Sequence, residues 1–174
     1  MDQKKPPIFL YTDGAASGNP GPGGYGVVLK CAGIQKEMSE GFALTTNNRM
    51  ELTAVIKGLE ALKESCEITL YTDSKYVSDA FNQGWIYAWM KKGWKKADNK
   101  PVLNKELWQR LYELWKMHDI TLVWVKGHAD NPWNNRCDEL ATSAIKEYRR
   151  MNGEKEEDTA SSAQEIKKEG SIRQ

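Results

Sequence analysis

An α/β domain built around a mixed sheet is the fold that this sequence predicts, and three observations predict it. Apolar β-prone runs alternate with segments of helical period in the order β-β-β-α-β-α-α-β-α. Three β-prone runs come first with only turn residues between them, which makes an antiparallel meander. A helical segment then separates the fourth run from that meander, so the fourth strand is expected to lie parallel to the first.

Each element has its own signal. Ile8 to Asp13 is a short strand, closed by the glycine-dense turn Gly18-Asn19-Pro20-Gly21-Pro22-Gly23-Gly24. Tyr25 to Cys31 and Gln35 to Leu44 are the next strands, joined by Ala32-Gly33. From Asn47 to Leu62 the period changes, with Leu52, Val55, Ile56, Leu59 and Leu62 on one face, and Asn48 with Glu51 fits a capping box. Glu67 to Asp73 is the fourth strand. Short helical pieces fill Lys75 to Lys92, and Gly93 interrupts them ahead of a lysine-rich loop. Asn104 to Met117 places Leu107, Trp108, Leu111, Leu114 and Trp115 on one helical face. Ile120 to Val125 alternates as a strand, and a loop through Gly127-His128 follows. Asn131-Pro132 is the N-cap and first-turn proline of a last helix, whose stripe is Cys137, Leu140, Ala141, Ala144, Ile145 and Tyr148.

With 174 residues and 40% apolar content, one compact domain is expected. It spans 8–150, after a short N-terminal extension at 1–7. Residues 151–174 form a charged tail with almost nothing to bury, expected to be disordered or weakly helical. No run approaches the roughly 20 apolar residues of a membrane span, and the start lacks the apolar core of a secretory signal. A cytoplasmic protein without membrane contact is therefore expected. Cys31, Cys66 and Cys137 are odd in number and far apart, which fits reduced core cysteines better than a disulfide framework or a zinc site. The net charge of +1 hides a division: six acids and four bases leave 151–174 at −2, and residues 1–150 at +3. Lys91, Lys92, Lys95, Lys96, Lys100 and Lys105 are faced within their stretch by Asp98 alone, a local basic patch suited to a polyanion.

The chemistry begins with an internal echo. Leu10-Tyr11-Thr12-Asp13-Gly14 and Leu70-Tyr71-Thr72-Asp73-Ser74 are nearly one pentapeptide. On parallel neighbouring strands in matched register, both aspartates would share one face at one end of the sheet. Carboxylates that close repel, so such a pair implies a shared proton or a divalent cation. Each aspartate alone reads first as a turn initiator, a reading that the duplicated context weakens for the two together; Glu51 reads also as a helix cap, and Asp138 as a helix-dipole partner or a mate for Arg136 or Lys146. His128 alone reads as a solvent-facing loop residue. The sequence carries no Gly-x-Ser-x-Gly, His-Glu-x-x-His or Gly-x-x-x-x-Gly-Lys signature, and its oxygen-rich, sulfur-poor donors suit Mg²⁺ or Mn²⁺.

Five motifs occur in order: Tyr-Thr-Asp-Gly with Gly18 to Gly26, Thr45-Thr46-Asn47-Asn48-Arg49-Met50-Glu51-Leu52, Thr72-Asp73-Ser74, Trp124-Val125-Lys126-Gly127-His128-Ala129, and Asn135-Arg136-Cys137-Asp138-Glu139-Leu140-Ala141. Together they resemble bacterial type I ribonuclease H over residues 8 to 150. The resemblance implies a ribonuclease H-like fold with a five-stranded mixed sheet, and a catalytic quartet at Asp13, Glu51, Asp73 and Asp138 with His128 as a mobile helper. It implies a monomeric endonuclease that hydrolyses the RNA strand of an RNA/DNA hybrid with two Mg²⁺ ions, Mn²⁺ being a substitute, and leaves 5′-phosphate and 3′-hydroxyl ends. Gly14, Asn19, Asn47 and Asn48 would read the RNA side, and Thr46 would hold a DNA phosphate. Trp85 to Lys105 resembles the family's basic protrusion, in which Trp89, Lys91, Lys92, Trp94, Lys95 and Lys96 would grip the DNA strand, while Trp85 and Trp108 are expected to pack for stability. Lys75, also placed among the substrate contacts, stands where the family commonly has glutamine, and Ala16 where a cysteine is familiar. A fold relative that binds without turnover, or one that cuts duplex DNA, is disfavoured by the complete acidic set, the asparagine pair and the basic protrusion.

Overall fold

The computed structural model describes residues 6–126 and 131–152. Its elements are β1 (Ile8–Ala16), β2 (Gly21–Cys31), β3 (Ile34–Thr45), α1 (Asn47–Glu60), β4 (Glu67–Thr72), α2 (Lys75–Asn82), α3 (Trp85–Lys91), α4 (Lys105–Trp115), β5 (Asp119–Trp124) and α5 (Pro132–Met151). The strands form one mixed sheet in the order β3-β2-β1-β4-β5, with β1–β2 and β2–β3 antiparallel and β1–β4 and β4–β5 parallel. This is the fold the sequence predicts.

Local chemistry explains most boundaries. Ala32 and Gly33 both take positive φ, 49° and 82°, which suits a two-residue connection between antiparallel strands. Asn131 caps α5 by accepting hydrogen bonds from the backbone N–H groups of Trp133 and Asn134, with Pro132 in the first turn. Among the described residues, no helix is long and apolar enough to cross a membrane.

Helices cover both sheet faces, as period-2 alternation requires. Leu10, Val27, Leu29, Ile68 and Leu70 join Leu52, Val55 and Leu59 of α1 and Trp108 and Leu111 of α4 in the main core. Their neighbours Tyr11 and Val28 turn to the other side and meet Cys137 of α5.

The glycine-dense stretch departs from expectation. Instead of a turn from Gly18 to Gly24, β1 runs on to Ala16 and β2 starts at Gly21, so most of these glycines are paired strand. Close approach gives the reason: a Cβ on Gly26 would collide with the Cys137 carbonyl oxygen and come within 2.7 Å of Leu140 Cβ. The bare backbone lets α5 settle directly on β2.

Gly26→Ala should therefore force α5 outward and destabilise the domain by about 1–3 kcal/mol. A lower urea midpoint at unchanged m-value would register this loss, whereas an unchanged midpoint would mean that the contact yields freely.

Candidate active site

The β1/β4 ladder runs in the offset that the echoed pentapeptide predicts, pairing Leu10 with Leu70 and Tyr11 with Tyr71. The two tyrosine rings stack at 4.9 Å, and Asp13 and Asp73 follow two residues further along. Parallel strands in register thus deliver two acids to the same end of the sheet.

Glu51 arrives from α1, and Gly14 makes its approach possible. A Cβ on Gly14 would lie 2.5 Å from the Glu51 nitrogen and 2.6 Å from the Met50 carbonyl oxygen, so only glycine lets α1 pass this close. Gly14 N–H then donates to Glu51 Oε1 at 2.8 Å and to Asp13 Oδ1 at 2.9 Å. The capping box expected of Asn48 and Glu51 is not formed. Thr46 is the N-cap, its Oγ1 accepting from Arg49 N–H at 3.2 Å, which puts Asn48 inside the first turn and frees Glu51 to face the sheet.

Asp13, Glu51 and Asp73 each offer one carboxylate oxygen, and these atoms lie within 4.8 Å of one another. Asp13 and Glu51 are buried. Burial pushes both carboxyls well above the usual carboxylate range, and the negative charge of Asp73 adds to the push on each. Glu51 Oε2 is buried with no hydrogen-bond partner. An orphaned oxygen, clustered carboxylates and the absence of sulfur donors from the cluster fit a hard divalent cation.

Asp138 borders the same cleft, half-buried on α5, and its charge also raises Asp13. It lies outside the three-acid cluster. Arg136 is engaged elsewhere, in a bidentate pair with Glu37 at 2.7 and 2.9 Å and a bond to Glu139 at 3.0 Å. His128 lies outside the described residues.

The cleft, about 450 Å³, is also lined by Gly14, Asn47, Asn48 and Lys75 from the predicted substrate contacts. Asn19 is one step removed: its Oδ1 accepts from Asn47 N–H at 3.2 Å, while Asn47 Oδ1 accepts from Ala16 N–H at 2.7 Å. Lys75 Nζ rests 4.8 Å from the centre of the Trp124 ring. Ser74 and Tyr76, which are not among the predicted substrate contacts, line the cleft as well. Ser74 had a legible signal as the N-cap of α2, accepting from Val77 N–H. Tyr76 had none, because the partners of its hydroxyl, Trp108 Nε1 at 2.9 Å and Asn104 Nδ2 at 3.2 Å, come from α4 and the residue before it.

Lys91, Lys92 and Lys95 stand exposed and Lys96 is half-buried, and none of the four lines the cleft. Trp89 and Trp94 pack partly against the main core, with the Trp89 ring 5.4 Å from that of Trp108, so they brace the lysine-bearing segment from below. Trp108 is fully buried as expected, but Trp85 is 41% exposed. It opens α3 immediately after the left-handed Gly84, and that short helix buries Ile86 in its place.

Comparison with known proteins agrees with this geometry. The RNase H family profile matches residues 5–146. The chain belongs to the ribonuclease H family. A ribonuclease H of Agrobacterium fabrum is 57% identical over 143 residues, 82% of this chain and 97% of that protein. Among solved structures, LC9-RNase H1, described as a type 1 RNase H with the type 2 active-site motif, superimposes with a TM-score of 0.73 at 30% identity, over 83% of this chain and 74% of that one. LC11-RNase H1, solved in complex with an RNA/DNA hybrid, gives 0.61 at 29% identity over 81% and 98%. Membership of the ribonuclease H family makes this chain a nuclease, the enzyme class expected from its motifs.

Because Asp13 and Glu51 are raised, the folded protein keeps protons that the unfolded chain releases, so stability falls as pH climbs from the ordinary carboxylate range through the raised values. The melting temperature of cation-free protein should accordingly decline between about pH 5 and about pH 8. Asp13→Asn should flatten that slope, and so should a saturating divalent cation. An equal slope in Asp13→Asn would locate the titration elsewhere.

Proposed function

We propose that this chain is an endoribonuclease that hydrolyses the RNA strand of RNA/DNA hybrids and leaves 5′-phosphate and 3′-hydroxyl ends. The observation that carries the reading is the convergence of Asp13, Glu51 and Asp73 at the end of the parallel strand pair, with one Glu51 oxygen buried and unpaired. Asp13, Glu51, Asp73 and Asp138 hold two Mg²⁺ ions, with Mn²⁺ as a substitute. When bound, the ions supply an acidified water for in-line attack and neutralise charge on the scissile phosphate and the departing 3′ oxygen.

The protein's own residues do the rest. Asp138, at the cleft margin, completes the acidic set from the helix side. Asn47 and Asn48 at the cleft, with Gly14 and Asn19 beside them, read 2′-hydroxyls on the RNA strand, the group that separates a hybrid from duplex DNA. Thr46 takes a DNA phosphate, and Lys75 adds positive charge at the cleft edge. Lys91, Lys92, Lys95 and Lys96, on the segment braced by Trp89 and Trp94, grip the DNA backbone through its phosphates. His128 moves a proton or assists product release, as suits a group that titrates near neutrality. The enzyme acts as a cytoplasmic monomer on a substrate of the kind that LC11-RNase H1 binds.

End-labelled RNA/DNA, DNA/DNA and RNA/RNA duplexes, incubated with Mg²⁺ or with EDTA, test this directly. Cleavage should be confined to the RNA of the hybrid and vanish on chelation; equal cutting of duplex DNA would refute the assignment. Asp13→Asn and Asp73→Asn should each lower kcat more than about a hundredfold. Their urea midpoints should stay level or rise, because a repulsion is relieved, and a large drop would reveal a structural role instead. His128→Ala should slow turnover by about a hundredfold without ending it, to be read from single-turnover rates.

A further inference from the structure

Beyond the pair Tyr11 and Tyr71, the strand that bears Asp13 and the strand that leads into Asp73 are joined by a side chain from outside the sheet. Asn134 of α5 is only 1% exposed, and its Nδ2 donates to the Thr12 carbonyl and to the Tyr71 carbonyl, each at 3.3 Å. A primary amide carries two hydrogens, so it serves both acceptors at once. Those carbonyls lie one residue before Asp13 and two residues before Asp73. Four residues after Asn134, on the same face of α5, comes Asp138. One amide thus ties together β1, which bears Asp13, β4, which leads into Asp73, and α5, which bears Asp138. On the far side of Asp73, Trp124 Nε1 donates to the Asp73 carbonyl at 3.1 Å, so that backbone is held from β5 as well.

Helix packing alone does not call for this arrangement. Cys137 and Ala141 already seat α5 on the sheet as buried residues. A buried amide adds a desolvation cost that its hydrogen bonds must offset, and Asn134 Oδ1 is itself left without a partner. What the amide supplies is direction and spacing, placed where the carboxylates begin.

We propose that Asn134 is a positioning residue for the acidic cluster: by clasping β1, β4 and α5 it sets the spacing at which Asp13, Asp73 and Asp138 present oxygens to a cation. This rests on the reading of the cluster as a cation site. Second-sphere groups that orient ligands typically change metal affinity by about 10–100-fold when removed.

The test measures Mn²⁺ binding by calorimetry on substrate-free protein, together with kcat and KM on a hybrid, for wild type, Asn134→Ala, Asn134→Ser and Ile145→Ala. Ile145 is buried on the same helix about three turns on and serves as a control for loss of helix packing. Both Asn134 variants should bind Mn²⁺ about tenfold more weakly or worse, and lose kcat at limiting Mn²⁺ with partial recovery at high Mn²⁺. KM for the hybrid should stay unchanged. Ile145→Ala should lower the melting temperature yet keep wild-type Mn²⁺ affinity. Serine cannot span two carbonyls, so Asn134→Ser carries the comparison should the alanine variant fail to fold. Wild-type affinity in a folded Asn134 variant overturns the proposal, as does equal weakening by Ile145→Ala. No Mn²⁺ uptake by wild type, with Asp13→Asn fully active, overturns the cation reading itself and the clasp with it.

Discussion

Holding carboxylates together where water cannot screen them is the constraint on which the rest of this structure depends. Asp13 and Glu51 are buried, and Asp73 brings a third carboxylate oxygen within 4.8 Å of theirs. Left alone, such groups take up protons, which is why the two buried carboxyls titrate above their usual range. A cation offsets the same repulsion while leaving every oxygen ionised. The cluster is therefore poised between two partners, protons and metal, and its behaviour with pH is tied to its occupancy.

The scaffold withstands that repulsion because the acids sit on elements fixed by independent packing. β1 and β4 are interior strands with the main core behind them, built on Leu10, Ile68 and Leu70 against α1 and α4. Gly14 admits α1, Gly26 admits α5, and each approach is set by backbone against backbone rather than by an adjustable side chain. Around the rim, Tyr76, Asn104 and Trp108 form a hydrogen-bonded chain that Arg49 extends toward the start of α1 by donating to Asn104 Oδ1 at 3.1 Å. The helix that bears the asparagine pair and the helix that bears Lys75 are in this way joined through α4. Surface ion pairs such as Arg110 with Glu60 add little by comparison.

Charge is divided as sharply as packing. The acids gather at the cleft, whereas Lys91, Lys92 and Lys95 are exposed at the end of α3 and in the loop after it, outside the residues that line the cleft. A polyanion laid across both would meet positive charge at the protrusion and carboxylates at the cleft. Cations at the cleft would remove the conflict.

Much of this architecture is legible along the chain. Strand and helix order follow from hydrophobic period, the parallel pairing of β1 with β4 follows from the intervening helix, and the repeated Leu-Tyr-Thr-Asp foretold the register that stacks Tyr11 on Tyr71. Those signals are local, or rest on spacing along the chain. Only the assembled fold shows that the glycine run is strand, that Glu51 turns from a helix cap to meet Gly14, and that Asn134 clasps two strands. Each of these depends on a backbone or side chain brought from dozens of residues away, and what a residue touches across the fold leaves no periodic trace in its own neighbourhood.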